Sequence, residues 1–185
     1  MMSSNMSPPS KSSTPSPAIE LKGSETATVV GLGLGSNIGD KPGNIRNALA
    51  LMEEGGLFRR MALSSIYRTP PWGFKEQEDF ANACAIGETR LPPLDLLAGI
   101  KGVEQLMGRQ PSVRWGPRLI DIDILFYGDL TLAHEKLNLP HKDLFTRAFV
   151  LVPLAEIAPG LIIVGRSIAE AAKAFAAEPL EKWGN

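Results

Sequence analysis

Asp121 and Asp123 stand two residues apart in a run that alternates them with Ile120, Ile122 and Ile124. Side chains two apart on an extended chain point the same way. The run therefore reads as a strand with an isoleucine stripe on one face and two carboxylates on the other. Two carboxylates that close each resist ionisation unless a cation sits between them. Mg²⁺ suits the position, because it takes hard oxygen ligands, keeps several of its waters and needs few protein donors. Just upstream, Arg114 and Arg118 flank Trp115, Gly116 and Pro117. The arginine fork matches phosphate oxygens. Carboxylates for two metal ions beside arginines are the parts needed to hold a metal-bound polyphosphate and to place one phosphorus for in-line attack. Histidine occurs only at His134 and His141, which disfavours zinc.

Other residues extend this chemistry. Arg109, Arg114, Arg118, Lys136, His141 and Arg147 gather in sequence around the aspartate strand and the loop after it, a set able to line an anion site. Phe80 and Phe149 are either core residues or two rings able to sandwich a flat heterocycle, and Asn82 offers both a donor and an acceptor to such a ring's edge. Gly31, Gly33 and Gly35 alternate, leaving one strand face without side chains and open to another backbone or a flat ligand. They do not form a dinucleotide fingerprint: the third glycine of that spacing falls on Ser36 or Ile38. A lysine-bearing phosphate loop is absent from the sequence as well.

The elements that must position these residues follow from periodicity. Residues 27–34 are apolar and β-branched at their start, hence a buried strand. Ile45, Ala48, Leu49 and Met52 repeat at helical spacing over residues 41–54, and Gly55-Gly56 ends that helix. Residues 58–67 and 80–89 read as strands separated by a long loop carrying Pro70, Pro71, Trp72 and Gly73. Pro92-Pro93 opens a second helix whose buried stripe is Leu96, Ile100, Val103 and Met107, stopped by Gly108. After the aspartate strand, residues 119–127, a short strand is expected near Thr131. A helix over residues 147–158 contains Pro153, expected as a kink or a first turn. A last helix over 167–175 starts at Ser167 with Glu170 three residues on, a capping-box pattern. The order β-α-β-β-α-β predicts an α+β, ferredoxin-like βαββαβ sandwich with an added C-terminal hairpin and helices.

The 185 residues suit one domain, expected over residues 26–185, and residues 1–25 are too poor in large apolar side chains to fold and read as a disordered Ser/Pro-rich tail. A net charge of −1 argues against a nucleic-acid partner recruited by bulk charge. No apolar run approaches the ~20 residues of a membrane span. The lone Cys84, within an apolar run, excludes an intramolecular disulfide and reads as a small core residue of a cytosolic protein.

With these residues in view, the chain resembles the 6-hydroxymethyl-7,8-dihydropterin pyrophosphokinase family of the folate pathway. The resemblance runs over residues 29–159 and rests on separated motifs: Gly35-Ser-Asn37, Tyr67-Arg-Thr-Pro-Pro71, Phe80-Ala-Asn82, Arg114-Trp-Gly-Pro-Arg-Leu-Ile-Asp-Ile-Asp123, Leu139-Pro-His141, and the segment from Arg147 to Glu156. It implies transfer of pyrophosphate from ATP to the pterin hydroxymethyl group, releasing AMP. Under that resemblance Asp121 and Asp123 hold two Mg²⁺ ions, while Arg109 and Arg118 act from a loop that closes over the site and is sealed by Trp115. Thr69, Pro70, Trp72 and Asn82 bond the pterin edge, with Phe80 and Phe149 on its faces. Glu104, Lys136, His141 and Arg147 contact ATP, and Leu97 and Ile124 wall its adenine. The expected partners are these small molecules alone, with no nucleic acid, no membrane and a monomeric chain.

The chain departs from the family's pattern at three places. Gln110-Pro-Ser-Val113 lacks an arginine that some members carry, Lys142-Asp143 follows His141 in place of a proline or aromatic residue, and Lys101 replaces a glutamine. A ferredoxin-like nucleotide- or RNA-binding module is the rival from another class. It would expose aromatics on adjacent strands, where this chain places aspartates. A metal-dependent phosphohydrolase is a third reading, disfavoured because no residue resembles a water-activating base.

Overall fold

The computed structural model describes residues 26–71, 77–108, 118–177 and 180–184. The expected tail, residues 1–25, lies outside the described residues. So do Trp72, Arg109, Arg114 and Trp115.

Strands β1 (Thr28–Ser36), β2 (Arg59–Leu63), β3 (Tyr67–Thr69), β4 (Phe80–Thr89) and β5 (Asp121–Tyr127) alternate with helices α1 (Lys41–Glu54) and α2 (Pro93–Leu106) in the expected order. The segment expected as one strand over 58–67 is broken. β2 pairs with the C-terminal half of β4, and β3 pairs with its N-terminal half. At the break the Ser65 N–H and hydroxyl both donate to the Glu156 carboxylate, at 3.0 and 2.7 Å. Beyond β5 come a hairpin of β6 (Leu132–His134) and β7 (Leu137–Leu139), helix α3 (Ala148–Ile157), a second hairpin of β8 (Ile162–Ile163) and β9 (Arg166–Ser167), helix α4 (Ile168–Lys173), and a short β10 (Glu181–Lys182) that periodicity did not reveal. The main sheet runs β10-β3-β4-β1-β5, with β2 also on β4, and these pairings are antiparallel. This is the split βαβ arrangement, extended by one edge strand.

Two cores hold the sheet. Ile45, Ala48, Leu49 and Met52 of α1, with Leu96, Ile100 and Val103 of α2, pack against Leu32, Leu34, Ile120, Ile122 and Ile124 on one face. Each fully buried isoleucine there stabilises the fold by roughly 1.5–3 kcal/mol. On the other face α3 and α4 bring Val150, Leu151, Leu154 and Ile168 against Cys84, Leu125 and Phe126. The sheet is thus covered by helices on both sides, not only by the two expected from the βαββαβ unit. Pro153 sits well inside α3, neither as a first turn nor as an end. Gly56 and Gly108 stop α1 and α2 with positive φ of 71° and 89°.

A β-bulge in β5 divides the aspartates from the core. Leu32 pairs with Ile124 but Gly31 pairs with Phe126, so Leu125 is an extra residue. Up to that point the parity is as the sequence predicts, with Asp121 and Asp123 opposite the isoleucines. The bulge then puts Leu125 and Phe126 together in the second core. Phe126 lies across Gly31, where a Cβ would stand only 2.1 Å from the ring Cε1. Gly31→Ala should therefore destabilise the fold by about 1–3 kcal/mol, the usual cost of overpacking. Phe126→Leu in the same chain should return part of that loss, since the two sites share one space. Denaturant midpoints of the two single variants and the double variant measure this. A Gly31→Ala protein as stable as the parent would refute the close approach.

Glu156 joins α3 to the sheet. Its carboxylate accepts from Ser65 and, at 2.7 Å, from the Tyr67 hydroxyl. Burial alone would raise its pKa, but the hydrogen bonds from Tyr67 and Ser65, together with Lys182, outweigh burial and hold the carboxyl below the ordinary glutamate value. Burial and the same bond push Tyr67 up to about 12. A carboxyl whose pKa falls on folding contributes stability above its unfolded value, about 4.3, and loses that contribution as pH drops through the lowered folded value. Glu156→Gln should therefore flatten the acid limb of a stability–pH curve below about pH 4.3 while leaving its slope near neutrality alone. An acid limb identical to the parent's would show that another group dominates there.

Candidate active site

Cross-strand register builds the floor of the site. Asn82 on β4 pairs with Gly35 on β1, which pairs with Asp121 on β5. In the next row with the same facing, Cys84 pairs with Gly33 and Gly33 with Asp123. Side chains in register share a face, so the two glycines leave a bare strip between Asn82 and the aspartates. Two strand spacings, about 10 Å, separate these edges. The strip is the floor of a cleft of about 330 Å³ under the start of α3. Thr69, Pro70, Phe80, Asn82, Arg118, Asp121, Asp123, His141, Arg147 and Phe149 line it, so the structure brings together all of these sequence-selected residues. At the far end of the glycine series Gly31 serves packing instead, because the bulge places Phe126 over it.

The polar walls are held by their own contacts. The Asn82 amide donates to the Thr69 hydroxyl at 2.6 Å, and both side chains are buried. A Cβ on Gly35 would come within 3.0 Å of the Asn82 Oδ1, so glycine there keeps that oxygen uncrowded. Arg118 donates to Asp121 Oδ2 at 2.6 Å. Asn37 anchors the chain just before the aspartates: its N–H donates to the Arg118 carbonyl at 3.1 Å and its Oδ1 accepts from the Arg118 N–H at 2.8 Å. That exchange accounts for the Gly35-Ser36-Asn37 motif. Arg147 donates to Asp143 Oδ2 and lies over the Phe149 ring, 5.7 Å from its centroid.

A second cleft of about 200 Å³ adjoins the first. Leu97, Ile122, Ile124, Leu137 and Asn138 form its walls, with Lys101 and Lys136 as its cations. Asp123, His141 and Lys142 line both clefts and mark their junction. The His141 backbone N–H donates to the carbonyl of the bulged Leu125 at 2.8 Å, which fixes the residue beside β5. Its Nδ1 accepts from the Asp143 N–H at 3.2 Å, so a neutral ring carries its proton on Nε2. Burial and the neighbouring Asp121 raise the Asp123 pKa, against the opposing charges of His141, Lys101 and Arg147. An aspartate pair under that repulsion, with hard oxygen donors and cations around it, fits a divalent metal ion.

Glu104, expected to contact ATP, lines neither cleft. Its side chain is 1% exposed and accepts from the Ile122 N–H at 2.8 Å and from Lys101 at 3.0 Å. It sits on the buried face of α2, where it satisfies a backbone donor of the aspartate strand and orients Lys101. Helical periodicity carries this signal, since Glu104 falls one position after Val103 on the apolar stripe. Lys101, Lys142 and Asp143 entered the sequence reading only as departures or neighbours, yet all three line the clefts. Isolated charges, on a helix as for Lys101 or in a loop as for Lys142 and Asp143, give no sequence signal of which cleft they will line.

Comparison with known proteins matches residues 31–159 to the family profile of 7,8-dihydro-6-hydroxymethylpterin-pyrophosphokinase (HPPK). A 2-amino-4-hydroxy-6-hydroxymethyldihydropteridine pyrophosphokinase of Methylorubrum extorquens is 48% identical over 140 residues, covering 76% of this chain and 89% of that protein. The mitochondrial folate synthesis bifunctional protein of Arabidopsis thaliana is 42% identical over 161 residues, 84% of this chain but 28% of that protein. Among solved structures, wild-type Plasmodium falciparum HPPK-DHPS with pteroate superposes with a TM-score of 0.67 at 17% identity, covering 83% of this chain. This chain spans 43% of that longer one. At that identity the superposition establishes the ferredoxin-like fold.

Proposed function

Because this chain belongs to the 7,8-dihydro-6-hydroxymethylpterin-pyrophosphokinase family, we infer that it transfers pyrophosphate from ATP to 6-hydroxymethyl-7,8-dihydropterin, giving the pterin diphosphate and AMP in folate biosynthesis. One observation carries the reading to particular residues: Asp123 stands where two clefts of different character meet. The larger, with Asn82 and Thr69 at one edge and Phe80 and Phe149 as its rings, suits a flat, edge-polar pterin. The smaller, apolar at Leu97 and Ile124 with Lys136 and His141 beside them, suits adenine and phosphates. The bond that forms joins the hydroxymethyl oxygen to the β-phosphorus. The bond that breaks joins that phosphorus to the α,β-bridging oxygen, which leaves on AMP.

In this reading Asp121 and Asp123 hold two Mg²⁺ ions, which when bound neutralise the polyphosphate and acidify the substrate hydroxyl. The protein's own part is alignment. Asn82 and Thr69 fix the pterin edge, Arg118, Lys136 and Arg147 present positive charge to the phosphates, and His141 stands beside them. Trp72, Arg109 and Trp115 complete the proposed set on the resemblance of their motifs. Glu104, for which the resemblance implies a contact to ATP, also holds Lys101 and accepts from the Ile122 N–H. The setting proposed is cytosolic, consistent with a single unpaired Cys84. Among the described residues no helix is long and apolar enough to cross a membrane. A non-catalytic RNA-binding sheet would need an open face, and here helices cover both.

The test is direct. Purified chain with hydroxymethyldihydropterin, ATP and Mg²⁺ should release AMP in step with pterin diphosphate. ADP as the nucleotide product would sink the assignment.

A further inference from the structure

We propose that Trp183, near the C-terminus, is a positioning residue for the pterin cleft, acting through Lys41 and the segment that leads into β4. The proposal rests on the pterin reading of that cleft. Trp183 lies beyond the family match, which ends at residue 159. It reaches the sheet because β10 adds to the edge of β3, with Glu181 opposite Arg68 and Lys182 opposite Tyr67. Its own N–H donates to the Ile66 carbonyl at 2.7 Å. The Lys182 ammonium reinforces the same edge by donating to the Ser65 hydroxyl at 2.9 Å.

The indole then meets two cations. The Arg68 guanidinium is 4.6 Å and the Lys41 ammonium 5.5 Å from the ring. Lys41 is an unusual lysine, only 7% exposed at the start of α1. Its ammonium donates to the Asp79 carbonyl at 2.9 Å and pairs with Glu78 at 2.8 Å. Residue 79 immediately precedes Phe80, and Gln77 is held by the Asn37 amide at 2.9 Å. An aromatic face over a desolvated ammonium attracts it and keeps water from competing for its hydrogen bonds. Trp183 therefore braces both pieces of the cleft wall. It braces Thr69 through its neighbour Arg68 on β3, and Phe80 through Lys41 and Asp79. Thr69 and Phe80 are themselves register partners. Among the described residues no comparable link runs from Trp183 to those lining the second cleft, so the effect should fall on one substrate.

In the 185-residue chain, Trp183→Ala should raise the KM for hydroxymethyldihydropterin about ten- to a hundredfold, the order expected when bound groups are displaced by changes away from the chemistry. The KM for ATP should stay at the wild-type value. Trp183→Phe, which keeps an aromatic face, should recover most of the loss. Lys41→Met should reproduce the pterin effect, and the double variant should be no worse than either single one, because both act along one line of contact. A Trp183→Ala enzyme with an unchanged pterin KM and merely a lower Tm would overturn the proposal. So would equal rises for both substrates, or additive losses in the double variant. Wild-type chain that releases no AMP in the same assay would overturn the catalytic reading, and this one with it.

Discussion

Asp123→Asn should lower turnover by about a thousandfold or more, while the folded protein becomes no less stable. The first half follows from charge. Metal-ion stabilisation of a transferring phosphoryl group is worth several kcal/mol, and roughly 4 kcal/mol is three decades in rate. An amide of the same shape keeps the strand and loses the anion that would hold the cation. The second half follows from the free site. The Asp123 carboxyl is buried beside Asp121, and both effects raise its pKa. Removing one of two repelling carboxylates relieves a strain kept for function. Thermal melts should therefore show a Tm at or above the parent's without metal. In the parent, Mg²⁺ with nucleotide should raise the Tm by binding to the folded state, and in the variant that rise should shrink. Near-normal turnover, or an undiminished Mg²⁺-dependent rise in Tm, would place the ions elsewhere.

Asn82→Ala should cut kcat/KM for the pterin by about a hundredfold to a thousandfold, while the KM for ATP changes little. A buried site built to hydrogen-bond its ligand loses far more than one bond's net worth when a partner is removed, because polar groups are left unpaired. Asn82 is buried, its amide is already committed to Thr69, and its Oδ1 faces the space kept clear by Gly35. The amide is thus oriented before ligand arrives, which lowers the cost of binding. Steady-state kinetics with each substrate varied in turn separate the two effects. Equal losses for both substrates would mean that Asn82 supports the sheet and not the pterin.

The chemistry of the site was largely legible in the chain. Alternation of Asp121 and Asp123 with isoleucines places both carboxylates on one face whatever surrounds them, because side-chain direction on a strand has period two. The stripes of α1 and α2 are equally local, and so is the Ser167 cap of α4, which accepts from the Glu170 N–H. Local geometry also explains why the glycine series announced a bare strip. What it could not announce was that Gly31 would be covered by Phe126 while Gly33 and Gly35 stayed open. That division depends on a bulge at Leu125, and a bulge is set by how two strands distant in sequence align.

Polar residues within the helices show the same limit. The family resemblance implied for Glu104 a contact to ATP; α2 turns it inward to meet the Ile122 N–H. Nothing in the sequence around Lys41 signals that the edge strand carries Trp183 over it. By itself the sequence determined the order of β1, α1, β4, α2 and β5, the faces of α1 and α2 and the pairing of the two aspartates, because each rests on the backbone's own short-range geometry. Only the tertiary structure decided that Asn82 and Asp121 flank one glycine in the same row, and that Asp123 separates two clefts. It also decided that the C-terminus reaches back to the first helix. Those are contacts between segments tens of residues apart, chosen by packing of the whole sheet against its helices.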